Sequence, residues 1–188
     1  IGSTSPYDNR SLAEYILDNQ SGVITETNQS ANDADGGYWL NPNNGIADAW
    51  VTIDLGKGYV IDFIELFNTH NAQYFDRGTG DFRILASNSV TQGNLTGNIS
   101  TLLDSTLLAE AGAQAGPLTA QSFSVTDTNV FRYLQFRADS VAVGGKACCG
   151  TNVYGLNEIR VSAVPEPTTL AIFGLALIGL ASRRFKKS

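Results

Sequence analysis

Apolar and polar residues alternate with a period of two along most of the chain. The segment AWVTIDLG places Val51, Ile53 and Leu55 on one face and mainly polar residues on the other. The segments DFRILAS, QSFSVTD, FRYLQFRA and LNEIRVSAV repeat this alternation, whereas YVIDFIELF is apolar on both faces, as a central strand is. Short alternating segments separated by Gly, Asn, Asp and Thr predict an all-β sandwich or barrel.

Two regions depart from this pattern. The segment SLAEYILDN predicts either a short helix, with Ser11 as its cap and Glu14 at the third position, or a strand-like leading segment. Residues 88–120 predict long loops around one strand near TLLDSTLLAE. We expect Trp39 and Trp50 to belong to the core.

The chain ends in a short apolar segment followed by cations. The run from Leu170 to Ala181 has 12 residues, and Arg183, Arg184, Lys186 and Lys187 follow it. As a helix it would be about 18 Å long, whereas a bilayer core of about 30 Å needs about 20 apolar residues. The apolar run followed by cations predicts a transmembrane helix that is shorter than usual. Its basic end suits the cytoplasmic side of a membrane.

Charge divides the chain in the same way. Of its 12 Lys and Arg, four lie in the basic tail, so 12 − 4 = 8 cations face 18 Asp and Glu in residues 1–167. The body thus carries a net charge of −10. An acidic body does not attract nucleic acid by its overall field.

The strand segments, taken in order, resemble a discoidin domain, also called the coagulation-factor type-C domain. The matching segments are DADGGYW, AWVTIDLGKGYVIDFIELFN, RGTGDFRILAS, FRYLQFRA and YGLNEIRV, which span roughly residues 10–163. The most specific is the strand from Trp50 to Gly56. The resemblance implies a galactose-binding-like jelly-roll β-sandwich that binds glycans, lipid head groups or proteins through loops at one end and is seldom catalytic. An unrelated sandwich with similar strands is the alternative.

The C-terminus is similar to the PEP-CTERM sorting signal of exported bacterial proteins. The signal would consist of the motif Pro165-Glu166-Pro167, an apolar helix over 168–182 and the basic tail 183–188, with Arg183 and Arg184 at its start. The resemblance implies that an exosortase recognises the motif in the inner membrane and removes the helix, which explains why a short helix suffices. It also implies delivery to the cell surface or extracellular matrix. An ordinary anchor that is never cut is the alternative.

These two resemblances divide the chain into a sandwich, 1–163, and a sorting signal, 164–188. In the resembled sandwiches calcium often lies between an early loop and a Glu on the last strand. Carried over, the family's Asp-Gly pair is Asp35-Gly36 and the Glu is Glu158, and Asp33 in the same segment, NQSANDADGGYW, offers a further carboxylate. Carboxylates are the oxygen ligands that Ca²⁺ prefers. The family's Thr before the Trp is replaced by Tyr38, and a simple turn capped by Asp is the alternative.

The loop 68–82 is the candidate ligand site. It joins two core strands and gathers groups that bind sugars in proteins, namely Asn68, His70, Asn71, Tyr74, Asp76 and Arg77. We predict that His70, Asn71 and Arg77 bind ligand. The structural alternative is that Asp76 and Arg77 pair to brace the loop.

A second loop, 140–155, is expected at or near the same end, with Tyr154 or the Cys148–Cys149 pair on the opposite wall of a shallow cleft. It contains the adjacent pair Cys148-Cys149. Neighbouring Cα atoms lie about 3.8 Å apart, closer than an ordinary disulfide requires. The pair is therefore either a strained disulfide ring, which an oxidising compartment permits, or two cysteines that stay as thiols or bond to another chain.

No catalytic pattern stands out. A G-x-S-x-G motif is absent and His70 is the single histidine, so neither a hydrolase triad nor a zinc site is indicated. The leading prediction is an exported, non-catalytic carbohydrate-binding or matrix-associated protein. A structural matrix protein without a sugar ligand and, more remotely, a glycoside hydrolase are the alternatives.

Overall fold

A computed structural model describes residues 2–4, 12–17, 38–41, 49–69, 78–108, 118–142 and 154–164. These residues form ten strands and one 3₁₀-helix, so the predicted all-β class is confirmed. The leading segment contains the 3₁₀-helix Ala13–Leu17. The strands are β1 Gly2–Ser3, β2 Trp39–Leu40, β3 Ala49–Asn68, β4 Asp81–Ser87, β5 Ser89–Thr91, β6 Asn94–Thr96, β7 Ser100–Thr106, β8 Ala120–Ser124, β9 Val130–Ala138 and β10 Gly155–Val164.

Strand β3 belongs to both layers of the sandwich. Its first part pairs with β9 and β1, and its second part pairs with β10 and β8. The layers are therefore β7-β4-β9-β3-β1 and β2-β10-β3-β8, joined through β3. The sequence pattern divides this segment into two strands, whereas the structure makes it one strand that changes layers.

The bend lies at residues 55–58, where four residues of β3 have no partner in β9 between Asp54 and Tyr59. Gly56 has a φ of 82°, which suits glycine. The Asp54 carboxylate accepts a hydrogen bond from the Gly56 N–H at 2.8 Å. The Asp-Leu-Gly sequence thus forms a local turn that folds the strand over.

The region 88–120 holds more structure than the sequence predicts. Strand β7 is the expected strand, but β5 and β6 also form a hairpin there. Its turn residues Gln92 and Gly93 both have positive φ, as a tight hairpin turn requires. The sequence prediction missed the hairpin because Gln seldom takes this conformation.

An aromatic cluster fills the space between the layers. Phe82 stacks on Phe136 at 5.9 Å and meets Phe123 edge-on at 5.1 Å, while Trp39 meets Phe136 edge-on at 6.1 Å. Trp39 is fully buried, as predicted. Trp50 is only partly buried and packs over the hairpin glycine Gly93.

The two ends of the sandwich differ. At one end, which we call the loop end, lie the connections 41–48, 69–80, 107–119 and 139–154. At the other end, the base, lie the bend 55–58, the two ends of the segment 88–99, the connection 125–129 and the last residue of β10. Strand β10 runs from one end to the other, from Gly155 to Val164. At about 3.3 Å per residue it spans about 30 Å.

Candidate functional site

Asn68 holds together the two ends of the connection that carries the predicted ligand residues. It ends β3 and its side chain is buried. Its Nδ2 donates to the carbonyls of Thr79 at 2.8 Å and Leu108 at 3.0 Å. Its Oδ1 accepts from the N–H groups of Thr69 at 3.0 Å and Thr79 at 2.9 Å. One amide therefore ties both ends of the 70–77 segment to each other and to the connection after β7.

Thr79 links this connection to the one before β10. Its hydroxyl donates to the carbonyl of Gly155 at 2.8 Å, and its backbone forms an isolated bridge with Val141. The N–H of Ala142 also donates to the carbonyl of Gly78 at 2.8 Å. The prediction that loops 68–82 and 140–155 lie at one end is thus confirmed for their described anchor residues.

The close approach of these two connections requires glycine. A Cβ at Gly80 would lie 2.8 Å from the backbone oxygen of Val141 and 2.7 Å from Ser140 Oγ. At Gly78 it would lie 2.9 Å from Asn68 Oδ1. The sequence Gly-Thr-Gly therefore serves as a packing surface for the neighbouring backbone.

Asp81 joins three elements at the same edge. Its carboxylate accepts hydrogen bonds from Thr106 Oγ1 at 2.7 Å and from Ser140 Oγ at 3.0 Å. The Thr106 bond, followed by the Ser140 bond, lowers the pKa of Asp81 from 3.8. The carboxylate is therefore ionised at neutral pH and holds β4, β7 and the start of the 139–154 connection together.

The predicted ligand residues fall in two groups. His70, Asn71 and Arg77 belong to the connection anchored by Asn68 but lie outside the described residues. Tyr154 is described and its side chain packs in the hydrophobic core. Its backbone exchanges hydrogen bonds with Asn41, through its own N–H to Asn41 Oδ1 and from the Asn41 N–H to its carbonyl. In this structure Tyr154 supports the loop end from within and does not form an exposed wall.

Glu158, the predicted metal ligand on β10, is paired with Arg160. The glutamate side chain is 2% exposed and the arginine 40%. Arg160 Nε donates to Oε1 at 2.8 Å and an Nη donates to Oε2 at 3.3 Å. These hydrogen bonds raise the pKa of Arg160, and its guanidinium lies 4.5 Å from the centre of the Phe67 ring. The buried carboxylate therefore already has one cation as partner.

The chemistry of this position suits a hard cation in addition. A carboxylate has about four lone-pair positions, and Arg160 occupies one on each oxygen. Next to Glu158, the buried Asn157 side chain makes no hydrogen bond within the described residues through either its oxygen or its nitrogen. The other predicted ligands, Asp33 and Asp35, lie outside those residues. Among the described residues, no three His, Cys, Asp or Glu side chains form a metal-binding group.

The remaining predicted features lie outside the described residues. They are Cys148, Cys149 and the sorting-signal residues Pro165, Glu166, Pro167, Arg183 and Arg184. Within the part of the chain that the structure describes, no helix has the length and apolar character needed to cross a membrane.

Sequence reasoning missed Asn41 and Thr79, and it grouped Asn68 with the ligand residues. Asn68 bonds to Leu108, 40 positions later, and Thr79 to Gly155, 76 positions later. The one local signal was an Asn at the end of a strand that is otherwise apolar on both faces.

Comparison with known proteins identifies the C-terminal segment. A family model described as the PEP-CTERM protein-sorting motif matches residues 163–187. No curated protein matches the chain.

Solved structures identify the fold of the sandwich. The module CBM32-3 from a family 31 glycoside hydrolase of Clostridium perfringens is 15% identical, with 87% of this chain and 89% of that chain covered and a TM-score of 0.60. The family 32 carbohydrate-binding module of Clostridium perfringens NanJ, in complex with galactose, is 12% identical, with coverages of 84% and 88% and a TM-score of 0.55. The lectin domain of lectinolysin, complexed with Lewis B antigen, is 14% identical, with coverages of 87% and 92% and a TM-score of 0.55. The chain therefore carries a PEP-CTERM protein-sorting motif behind an all-β sandwich of the galactose-binding-like fold.

Proposed function

We propose that this chain is an exported, non-catalytic carbohydrate-binding protein that binds sugar at its loop end and is cleaved at its C-terminus by an exosortase. The observation that carries the proposal is the loop end itself, where Asn68 and Thr79 hold the described ends of two long connections side by side. Loops held on a rigid scaffold are where proteins place their binding residues. The neighbours that share the fold are named as carbohydrate-binding modules or a lectin domain.

In this proposal the 70–77 segment supplies the sugar contacts. His70, Asn71 and Arg77 offer planar hydrogen-bonding groups for neighbouring hydroxyls. Each such contact contributes on the order of 1 kcal/mol net. Affinity for one sugar unit is therefore weak, and avidity requires multivalent display of several copies of the protein on a polymer such as exopolysaccharide.

Binding to an array of bacterial polysaccharides and oligosaccharides tests the proposal. We expect His70→Ala and Arg77→Ala to lower binding to the glycan that the unmodified protein selects, with little change in melting temperature. Lys57→Ala is the matched control, because Lys57 is exposed in the bend at the base. A loss of stability in Arg77→Ala with unchanged binding in His70→Ala would instead make the loop a structural brace.

We also propose a structural calcium ion held by Glu158 with Asp33 and Asp35. The buried carboxylate of Glu158 supports this proposal, as does the buried Asn157 side chain one position earlier in β10, which makes no hydrogen bond within the described residues. The ion would compensate the charge of the glutamate and fix the early loop against β10, without a role in chemistry.

Two other functions remain as outcomes of the same experiments. A protein that binds no glycan but associates with matrix proteins would be a structural matrix component. Release of sugars from a bound polysaccharide would indicate a glycoside hydrolase, which needs two carboxylates at a set separation.

A further inference from the structure

The base of the sandwich exposes a row of apolar side chains. Val164 of β10 is paired with Val60 of β3, and Val60 is paired with Val130 of β9. Directly paired residues of neighbouring strands have their side chains on the same face. Val130 is 51% exposed and Val164 is 44% exposed. These three valines form a continuous strip across three strands, which we call the base row.

Exposed apolar side chains concentrate at this end. Of the five large apolar residues that are strongly exposed in the described part of the chain, three lie at the base: Ile99, Val130 and Val164. Ile99 precedes β7, whose first residue, Ser100, lines the same cleft as Val130. The apolar surface is therefore larger than the row itself.

The cleft beside the base row is lined by polar, uncharged side chains. A cleft of about 430 Å³ opens beside Val130 and is lined by hydroxyl and amide groups from Ser87, Asn88, Ser89, Asn98, Ser100 and Asn129. In the bend, the Lys57 ammonium lies 5.0 Å from the centre of the Tyr59 ring. An apolar surface bordered by hydrogen-bonding groups, tyrosine and lysine is the combination found at membrane–water interfaces.

Three charged groups at the base, Asp54, Arg132 and Asp127, make hydrogen bonds within the sandwich. Arg132 donates two hydrogen bonds at 2.9 Å to the Asp54 carboxylate. Asp127 Oδ1 accepts two hydrogen bonds from Asn129, at 2.8 Å from its N–H and 2.7 Å from its Nδ2. These pairs reduce the cost of bringing the base close to lipid.

Chain length places the base next to the bilayer. Only five residues, 165–169, separate Val164 from the apolar run that starts at Leu170. Even fully extended they reach at most about 18 Å. An inserted tail therefore keeps the base row within that distance of the membrane surface.

We propose that the base row rests against the lipid surface while the tail is inserted, so that the sandwich stands on the membrane with its loop end pointing away. This inference rests on the proposed function, because it requires the sorting segment to enter a bilayer. It deepens that function: the sugar site would face outward, about 30 Å from the membrane, before the tail is cleaved. The anchored precursor would then bind glycan as well as the released protein does.

Fluorescence quenching in vesicles tests the orientation. Full-length protein is inserted into phosphatidylcholine vesicles whose acyl chains are brominated near the head group, which quenches only tryptophans at the lipid surface. The probes are Val130→Trp and Ile99→Trp at the base, with Leu108→Trp as the matched control. Leu108 is 74% exposed and lies at the loop end. Trp39 and Trp50 give the same background in every variant.

We expect both base probes to lose most of their added emission and the Leu108→Trp probe to keep it. Equal emission of base and loop-end probes in brominated and ordinary vesicles would overturn the proposal. So would a blue shift of the base probes without quenching, because a second copy of the chain would then cover the row.

A fourth probe separates this inference from the proposed function. Phe173→Trp lies within the apolar run, so it is measured in vesicles whose acyl chains are brominated deeper in the bilayer. If this probe is quenched but the base probes are not, the tail inserts and only the orientation is wrong. If it is not quenched, the tail does not insert, and the anchoring step of the proposed function fails together with this inference.

Discussion

Asn68→Ala is expected to be the most damaging single substitution at the loop end. The alanine removes a buried amide that makes four hydrogen bonds to backbone groups. Two of those groups, the N–H and carbonyl of Thr79, belong to a residue with no exposed surface. The carbonyl of Leu108 keeps a second partner, because Gln121 Nε2 donates to it at 3.0 Å.

The size of the effect follows from these contacts. A hydrogen bond contributes about 1 kcal/mol net, and a buried backbone group left without a partner costs about 1–3 kcal/mol. With two such groups at Thr79, we expect a loss of about 3–5 kcal/mol. That is a large fraction of a typical domain stability of about 5–15 kcal/mol.

Urea denaturation of the chain ending at Val164 measures this loss. The matched control is Asn88→Ala at the base. Asn88 is exposed and also bonds to the backbone. Its Nδ2 donates to the Val130 carbonyl at 2.8 Å, and its Oδ1 accepts from the Arg132 N–H at 2.9 Å. Water replaces those bonds, so we expect the control to lose no more than about 1 kcal/mol. An Asn68→Ala protein no less stable than the control would refute the assigned role of Asn68.

Three further predictions concern calcium, pH and processing. If calcium binds as proposed, a hundredfold excess over its dissociation constant stabilises the fold by about 2.7 kcal/mol, and Asp35→Ala should abolish the resulting rise in melting temperature. Arg160→Gln should tighten calcium binding in titration calorimetry, because it removes a competing cation. Equal affinity of this variant and the unmodified protein would contradict the proposal. The hydrogen bond from Arg132 and then that from Gly56 lower the pKa of Asp54 from 3.8 to about 2. The contribution of Asp54 to stability is therefore complete above pH 3.8 and is lost as the pH falls towards 2. The free energy of unfolding should fall less steeply with acid in Asp54→Asn, and an unchanged slope would count against the ion pair. Intact-mass analysis of protein from its native host should show a chain that ends near Pro167, whereas a chain that retains its last residues would argue for an uncut anchor.

The sequence predicted the strands well because their alternation is local. The first part of β3 and strands β4, β8, β9 and β10 coincide with segments read from period-2 patterns, and the second part of β3 coincides with the segment that is apolar on both faces. The change of layer within β3 could not be predicted from the sequence in the same way. The Gly-Lys-Gly segment indicates a turn. Whether the chain then pairs with itself or crosses to the other layer depends on β9, which pairs with β3 both before and after the bend.

The site was predicted less completely because its supports are not local. Apart from the bond to the adjacent Thr69, the bonds of Asn68 and Thr79 join residues 11 to 76 positions apart, and nothing in the neighbouring sequence marks such partners. The Glu158–Arg160 pair is the exception, since residues two apart on a strand share a face. Tyr154 was expected at the surface because it follows a polar loop, yet its place at the start of β10 brings its ring into the core.

The position of β3 also determines when the protein can fold. Its partners in β9 and β10 lie roughly 70–105 residues later in the chain, Val60 being paired with Val164. Folds dominated by such distant pairings form slowly, in milliseconds to seconds. In the proposed export, the second layer cannot close until β10 has left the membrane, and the sorting segment follows directly after β10. A pause of that segment in the bilayer would therefore coincide with the pairing of the final strand and give it time to complete before the chain is released.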